Sequence, residues 1–267
     1  MPERKDDLAL IAGAVRSAGQ LALEMQNSPV KQWIKSDNSP VSEADIAVND
    51  LLLDALMTAR PDYGWLSEEN DDTSDRLSAK RLFVVDPIDG TRAFLSGKTA
   101  YTVSVALVED GKPVIGCVYN PAEDEFYQAV TGQGASCNGT PIRPSRKAEL
   151  EGCRMLGKRD LTKRWPGSQP LPDMELTYLN SIAYRMCLVA SGAWDAAVAL
   201  TDKGEWDLAA ADLIAREAGS LCTAHDGAPL VYNQPHPRPP SMICANEVLH
   251  AAILEHTKPL NISSQNG

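Results

Sequence analysis

The apolar residues of this 267-residue chain change their spacing part-way along, and that change limits the folds open to it. Leu8, Ile11, Val15, Ala18, Ala22 and Met25 recur at helical spacing, and Val48, Leu51, Leu52 and Leu56 repeat the pattern from about Ser42 until Pro61 ends it. From Tyr101 the period becomes two. Residues 101–108, 114–119 and 126–130 read as strands separated by Asp110-Gly111, Asn120-Pro121 and Gly132, with a further tight turn at Asn138-Gly139. A pair of helices should therefore cover an antiparallel meander. Between them, Trp65-Leu66 and residues 82–85 read as short buried strands flanking a polar loop, residues 70–80. A Pro-rich stretch, residues 165–172, precedes a second alternation: a helix over 182–190, a strand over 196–200, a helix over 207–218 closed by Gly219, a strand over 242–245, and a helix capped by Asn246. This places a seam near residues 145–172. It divides the chain into an N-terminal α+β half, 1–145, and a C-terminal α/β half, 146–267.

Acidic residues stand where these elements end. Glu68 follows Trp65-Leu66, Asp86 and Asp89 lie in Asp86-Pro87-Ile88-Asp89-Gly90-Thr91, and Asp207 follows Trp206. Each has an ordinary explanation: Asp86 and Asp89 as turn residues, Asp207 as a helix N-cap, Glu68-Glu69 as a solvated loop start, and Asp45 as the partner of Ser42 in a capping box. Their common place at strand ends and helix starts points instead to one shared site. Carboxylates brought together repel unless they are protonated or bridged by cations, and hard oxygen donors favour Mg2+, Mn2+ or Ca2+ over zinc. A helix or turn starting at Gly90-Thr91 would add free N–H groups for a phosphate held by the same cations.

Composition narrows the alternatives. With 43% hydrophobic and 23% charged residues the chain is expected to be globular. The first seven residues contain no apolar segment of the signal-peptide kind, and no run of about 18 apolar residues is read anywhere, which favours the cytoplasm and no membrane. Six cysteines without a CxxC pair suit buried thiols better than a disulfide framework or a zinc site. A net charge of −11 opposes direct nucleic-acid binding. The four histidines, at 225, 236, 250 and 256, have no short metal-ligand spacing and read as surface residues. An aspartyl-phosphate route would need Asp-x-Asp, which the spacing of Asp86 and Asp89 does not supply. Cys137 and Arg143 have a Cys-x5-Arg spacing, but Asn138-Gly139-Thr140-Pro141 between them reads as a hairpin turn.

Trp65-Leu66-Ser67-Glu68-Glu69, the hexad from Asp86 to Thr91 followed by Phe94, and Trp206-Asp207-Leu208-Ala209-Ala210 running on to Glu217-Ala218-Gly219 together resemble the three motifs of the inositol monophosphatase family. The likeness runs from Lys35 to near Ala245 and includes Gly132-Gln133-Gly134-Ala135, similar to the family's hairpin. It implies an α/β fold of the family's type, a five-layer αβαβα sandwich, and a metal-dependent phosphatase. Glu68 and Asp86 with the Ile88 carbonyl would bind one Mg2+, and Asp86, Asp89 and Asp207 a second. A third, weaker ion near Glu68 and replacement by Mn2+ stay open, and Li+ would inhibit. Thr91 and Asp45 would orient the attacking water beside Glu68, while Asp89, Gly90, Thr91, Arg185 and Lys35 would face the substrate and its phosphate. For Lys35 a solvated surface position is the alternative.

Residues 35–42 and 187–192 are more similar to bacterial 3'(2'),5'-bisphosphate nucleotidases, where a basic residue stands at the place of Arg185. That residue would meet the phosphate that is not cleaved, unless Arg185 lies on a helix surface. The stretch from Asp86 to Phe94 also occurs in inositol- and histidinol-phosphatase relatives. The expected substrate is thus adenosine 3',5'-bisphosphate, hydrolysed to AMP, with inositol 1-phosphate and histidinol phosphate as alternatives. The expected partner is a small phosphorylated metabolite, with a homodimer left open. A reading of another class is a transcription-associated interaction protein of the same fold, against which the intact acids argue.

Overall fold

In a computed structural model, residues 2–36, 39–158 and 172–262 are described; the Pro-rich stretch, Pro172 apart, and Asn38 lie outside them. Two helices form the first layer. α1 (Pro2–Gln26) and α2 (Glu43–Ala59) bury Ile11, Val15, Ala18, Ala22, Val48, Leu52 and Leu56 completely. A short antiparallel hairpin of β1 (Gln32–Ile34) and β2 (Pro40–Ser42) joins them and carries Lys35. α1 is long and apolar enough by composition to cross a membrane, with a mean hydropathy of 1.2 in an 18-residue window within Arg4–Gln26, although charged residues interrupt its apolar positions. Its buried stripe packs instead on the first sheet.

That sheet has seven strands in chain order: β3 (Gly64–Ser67), β4 (Arg81–Asp89), β5 (Thr102–Glu109), β6 (Lys112–Asn120), β7 (Glu125–Val130), β8 (Ala135–Cys137) and β9 (Thr140–Pro141). β3 and β4 are parallel and every later pair is antiparallel, so the meander appears as read. A one-turn helix, α3 (Thr91–Leu95), follows β4. The alternation sorts side chains between layers. Phe83, Val85, Val103, Val105, Leu107, Ile115 and Cys117 face α1 and α2, while Leu82, Val84, Ala106, Val108 and Val118 face the other way.

The second face meets α4 (Ile182–Ala190) and α5 (Glu205–Ala218). Beyond them lies a five-stranded sheet in the order β11 (Glu175–Thr177), β10 (Arg154–Leu156), β12 (Ala196–Ala199), β14 (Met242–Asn246), β13 (Ser220–Thr223). It sorts its residues likewise: Leu156, Ala197, Met242 and Cys244 face α4 and α5, whereas Met155, Ala196, Val198, Ile243 and Ala245 face the outer helix α6 (Glu247–Thr257). The result is the αβαβα sandwich.

Several expectations change. β4 does not stop at Val85 but continues to Asp89 through a bulge, in which Asp86 pairs with Ser104 and Asp89 with Thr102. Pro87, which has no N–H for a ladder, falls inside that bulge. Asp86 and Asp89 are therefore strand residues and not turn residues. α5 begins at Glu205 with Gly204 as its N-cap, so Asp207 is its third residue and not the cap. His225 and His250 are buried: His225 contacts Ser241 and the Leu260 carbonyl, and His250 contacts Thr223.

The middle layer approaches the first sheet most closely at Gly116. A Cβ there would lie 2.5 Å from the Ala210 carbonyl oxygen and 3.1 Å from its Cα, so β6 and α5 touch backbone to backbone. Gly116→Ala must push α5 outward, and α5 carries Asp207. The expected cost is about 1–3 kcal/mol with a fall in activity. Gly13→Ala, at an exposed position of α1 with nothing within 4 Å of its Cβ, should instead be neutral or stabilise by about 0.5–1 kcal/mol. Thermal melts and specific activity of the two variants check the contrast.

Candidate active site

Three helix N-termini converge on the carboxylates named in the sequence. Asp45 sits at the start of α2, where its Oδ2 accepts from the Ser42 N–H at 2.7 Å and the Ser42 hydroxyl at 2.6 Å. Asp207 sits at the start of α5, where its Oδ2 accepts from the Gly204 N–H at 3.0 Å. Asp89 reaches from the end of β4 to the start of α4, and its Oδ2 accepts from the Ser181 hydroxyl and the Ala183 N–H, each at 2.6 Å. In each case one oxygen is fixed by a helix start, whose dipole favours negative charge, and Oδ1 is left for other work. For Asp45 that work is a bond from the Thr91 hydroxyl at 3.0 Å, which also lies 3.2 Å from the Ile88 carbonyl.

Asp86 stands apart. It is 1% exposed, and neither of its carboxylate oxygens has a hydrogen-bond partner. A buried carboxylate without a partner is costly, and one surrounded by other carboxylates more so. Ligand oxygens of Glu68, Asp86 and Asp207 all lie within 4.8 Å of one another. Burial, then Glu68, Asp89 and Asp207, raises the Asp86 carboxyl well above its ordinary range. Burial and the charge of Asp207 push Glu68 up to about 7, and burial pushes Asp89 up to about 6 against its bonds to the start of α4. Burial and Asp89 push Asp207 up to about 6. These four groups would share protons near neutrality unless cations took their place. The donor set, all oxygen and with an orphaned pair at Asp86, fits a hard divalent metal ion.

Lys35 closes the cluster on one side. Its Nζ is 3.1 Å from Glu68 Oε1 and 2.6 Å from Glu69 Oε1, and it is half-buried rather than solvated. Glu69, for which the sequence offered only a solvated loop start, has a buried side chain and is pushed up to about 7 by that burial. Gly90 caps α3 at φ 99°, and a Cβ there would lie 2.9 Å from the Ala100 carbonyl and 3.1 Å from the Ser181 N–H, so no side chain can stand between α3 and α4. Arg185 is 2% exposed and not on a helix surface. Its Nε and Nη2 donate to the Leu179 carbonyl, and its guanidinium lies 4.4 Å from the Tyr178 ring centroid.

Second contacts hold the site's parts in register. Buried Glu205 accepts from the Asn233 N–H at 2.6 Å and the Gln234 N–H at 2.9 Å. Arg76, from the segment after Glu68, donates to the Asn233 side chain at 2.7 Å and the Gln234 carbonyl at 2.9 Å. The segments bearing Glu68 and Asp207 thus grip the same short loop. From Asp89 and Asp207 a cavity opens past Asn180 toward Arg92, Lys158, Arg185 and Lys203. The sequence reading missed Ser181, Lys158 and Lys203. A serine directly before the helix over 182–190 was a readable cap signal, whereas nothing local marks Lys158.

The profile of the inositol monophosphatase family matches residues 5–261. An inositol-1-monophosphatase of Mesorhizobium japonicum is 33% identical over 88% of this chain and 88% of its own. The 3'(2'),5'-bisphosphate nucleotidase CysQ of Escherichia coli K12 is 32% identical over 81% of this chain and 90% of its own. Relatives of comparable identity also bear the names histidinol-phosphatase in Chlorobaculum parvum, at 33%, and Nus factor SuhB in Pasteurella multocida, at 30%. Among solved structures, the IMPase of Thermotoga maritima superposes with a TM-score of 0.82 at 27% identity, covering 94% of this chain and 96% of that one. Three of these four names are those of phosphatases or nucleotidases with different substrates, and with the family match over residues 5–261 the chain belongs to the inositol monophosphatase family and is a phosphatase.

Proposed function

We propose that the protein is a Mg2+-dependent phosphomonoesterase whose substrate is adenosine 3',5'-bisphosphate, cleaved at the 3'-phosphate to give AMP. The observation that carries the phosphatase chemistry is Asp86, a buried carboxylate with no partner at the centre of three others. Glu68, Asp86, Asp89 and Asp207 would hold Mg2+, with Mn2+ as a substitute, and the bound ion would supply positive charge to the phosphoryl oxygens and to the nucleophile. The protein does the rest through position. The Thr91 hydroxyl has one proton, shared between Asp45 Oδ1 and the Ile88 carbonyl, which leaves its lone pairs to accept from the attacking water. Burial raises the pKa of Asp45 despite its bonds to Ser42 and Thr91, so it accepts the relayed proton more readily than a surface carboxylate would. Asp89 and Gly90 shape the floor under the phosphate, and Lys35 offsets the charge of Glu68 and Glu69.

The preference for a bisphosphate over inositol 1-phosphate or histidinol phosphate rests on the cations that line the cavity, Arg185 among them, and on the similarity of residues 35–42 to the nucleotidases. All six cysteines are unpaired, which suits a reducing compartment such as the cytoplasm. A second reading, an interaction module that assists transcription, is favoured by the relative named Nus factor SuhB. The complete set of carboxylates favours catalysis.

Turnover should require Mg2+, vanish in EDTA and fall on titration with Li+. In a side-by-side assay adenosine 3',5'-bisphosphate should give the highest kcat/KM; if inositol 1-phosphate does, the nucleotidase assignment is wrong, and full activity in EDTA removes the metal-dependent reading altogether. Thr91→Ala should lower kcat by about 100-fold with KM nearly unchanged. A variant that loses only about 1 kcal/mol of stability and keeps its rate would show that Thr91 does no more than start a helix.

A further inference from the structure

We propose that residues 233–240, a proline-rich strap laid across the start of α5, set the spacing between Glu68 and Asp207, with Arg76 and Glu205 as its two anchors and so as positioning residues for the metal ions. The inference rests on the metal-dependent reading above and adds to it the elements that govern how tightly the ions are held.

Ligand oxygens of Glu68 and Asp207 lie within 4.8 Å of each other, yet the two acids come from distant parts of the chain. Glu68 follows β3, an edge strand that pairs with β4 alone. The short helical turn Ser74–Ser78 packs against that strand, since a Cβ at Gly64 would lie 3.0 Å from the Ala79 Cβ and 3.5 Å from the Arg76 Cβ. Arg76 is 3% exposed, and its planar fork works in two directions. Nε and Nη2 donate to the Asp72 carboxylate at 2.6 and 2.7 Å, while Nη1 donates to the Asn233 side chain at 2.7 Å and Nη2 to the Gln234 carbonyl at 2.9 Å. The Asn233 amide answers by donating to the Arg76 carbonyl at 3.2 Å. The strap is thereby fastened to the segment that bears Glu68.

Its other anchor is the first turn of α5. Glu205 is fully buried, and its two oxygens accept from the Asn233 N–H at 2.6 Å and the Gln234 N–H at 2.9 Å. The Glu205 N–H, which has no partner inside the helix, donates to the Pro237 carbonyl at 2.9 Å, and the Lys203 N–H donates to the Pro239 carbonyl at 2.9 Å. The Arg238 guanidinium lies 5.4 Å from the ring centroid of Trp206, the residue before Asp207. Residues 235, 237, 239 and 240 are prolines, whose fixed φ narrows the conformations open to the strap. A stiff spacer fastened at both ends thus joins the two carboxylates through Arg76 on one side and Glu205 on the other.

Charge and position predict opposite signs for Arg76. As a buried cation it repels Mg2+, so by charge alone its loss should tighten Mg2+ binding; as an anchor its loss should loosen it. Mg2+ binding to the metal-free protein is measured by calorimetry for wild type, Arg76→Met and Asn233→Gly, with melting temperatures taken with and without Mg2+. Asn233 stands at φ 60°, which glycine adopts without strain, so Asn233→Gly removes the bond to Arg76 without changing charge, and it keeps the test decisive should Arg76→Met fail to fold. Both variants should raise the Mg2+ dissociation constant about tenfold and shrink the rise in melting temperature that Mg2+ gives. Unchanged or tighter binding in either folded variant, or a melting temperature lowered equally with and without Mg2+, overturns the strap and leaves metal dependence intact. A wild type that takes up no Mg2+ overturns the metal-dependent reading and the strap with it.

Discussion

Mutual repulsion among buried carboxylates is the constraint around which this structure is arranged. Asp86, Asp89 and Asp207 with Glu68 are held closer together than such groups would stand in water, and their pKa values rise accordingly. The backbone offsets part of that cost. α2, α4 and α5 each present an N-terminus to one aspartate, so the positive ends of three helices face a common centre. Glu68 is met by Lys35 instead, and Asp86, inside the β4 bulge, has a hydrogen-bond partner for neither oxygen. Such a centre could hold a cation, and the five-layer sandwich is the frame that brings three helix starts and one strand end to it.

The frame and the site are coupled through α5. Its apolar side fills the space between the two sheets, its Ala210 meets Gly116 backbone to backbone, and its first turn carries both Glu205 and Asp207. Glu205 locks that turn to the 233–234 loop, which Arg76 ties to the segment following Glu68. A shift of the helix would therefore change the distance between Asp207 and its neighbours, which is why a packing substitution at Gly116 is expected to reach the chemistry.

Much of the fold was legible because periodicity reports burial directly. The stripe on α1, the meander over β5 to β7, the cap at Ser42 and the cap at Asn246 all follow from local spacing and side-chain chemistry. What local pattern could not show was the path of the chain between elements. The continuation of β4 through Pro87 depends on register against Ser104 and Thr102, and a reader of the sequence sees only a turn-like tetrad there. The burial of His225 and His250 depends on partners at Ser241, Leu260 and Thr223, none adjacent in sequence. The acids themselves were recoverable because family motifs keep them at fixed spacing. The lysines of the cavity were not, since Lys158 and Lys203 come together only through the second sheet and the start of α5.

The most direct measurement is the melting temperature of wild type and Asp86→Asn, each with and without Mg2+. If the carboxylates repel in the metal-free protein and Asp86 is central, the variant melts higher than wild type without metal, because one buried charge is gone, and Mg2+ raises wild type while leaving the variant nearly unmoved. A variant that melts lower than wild type without metal, or a wild type indifferent to Mg2+, would contradict the account.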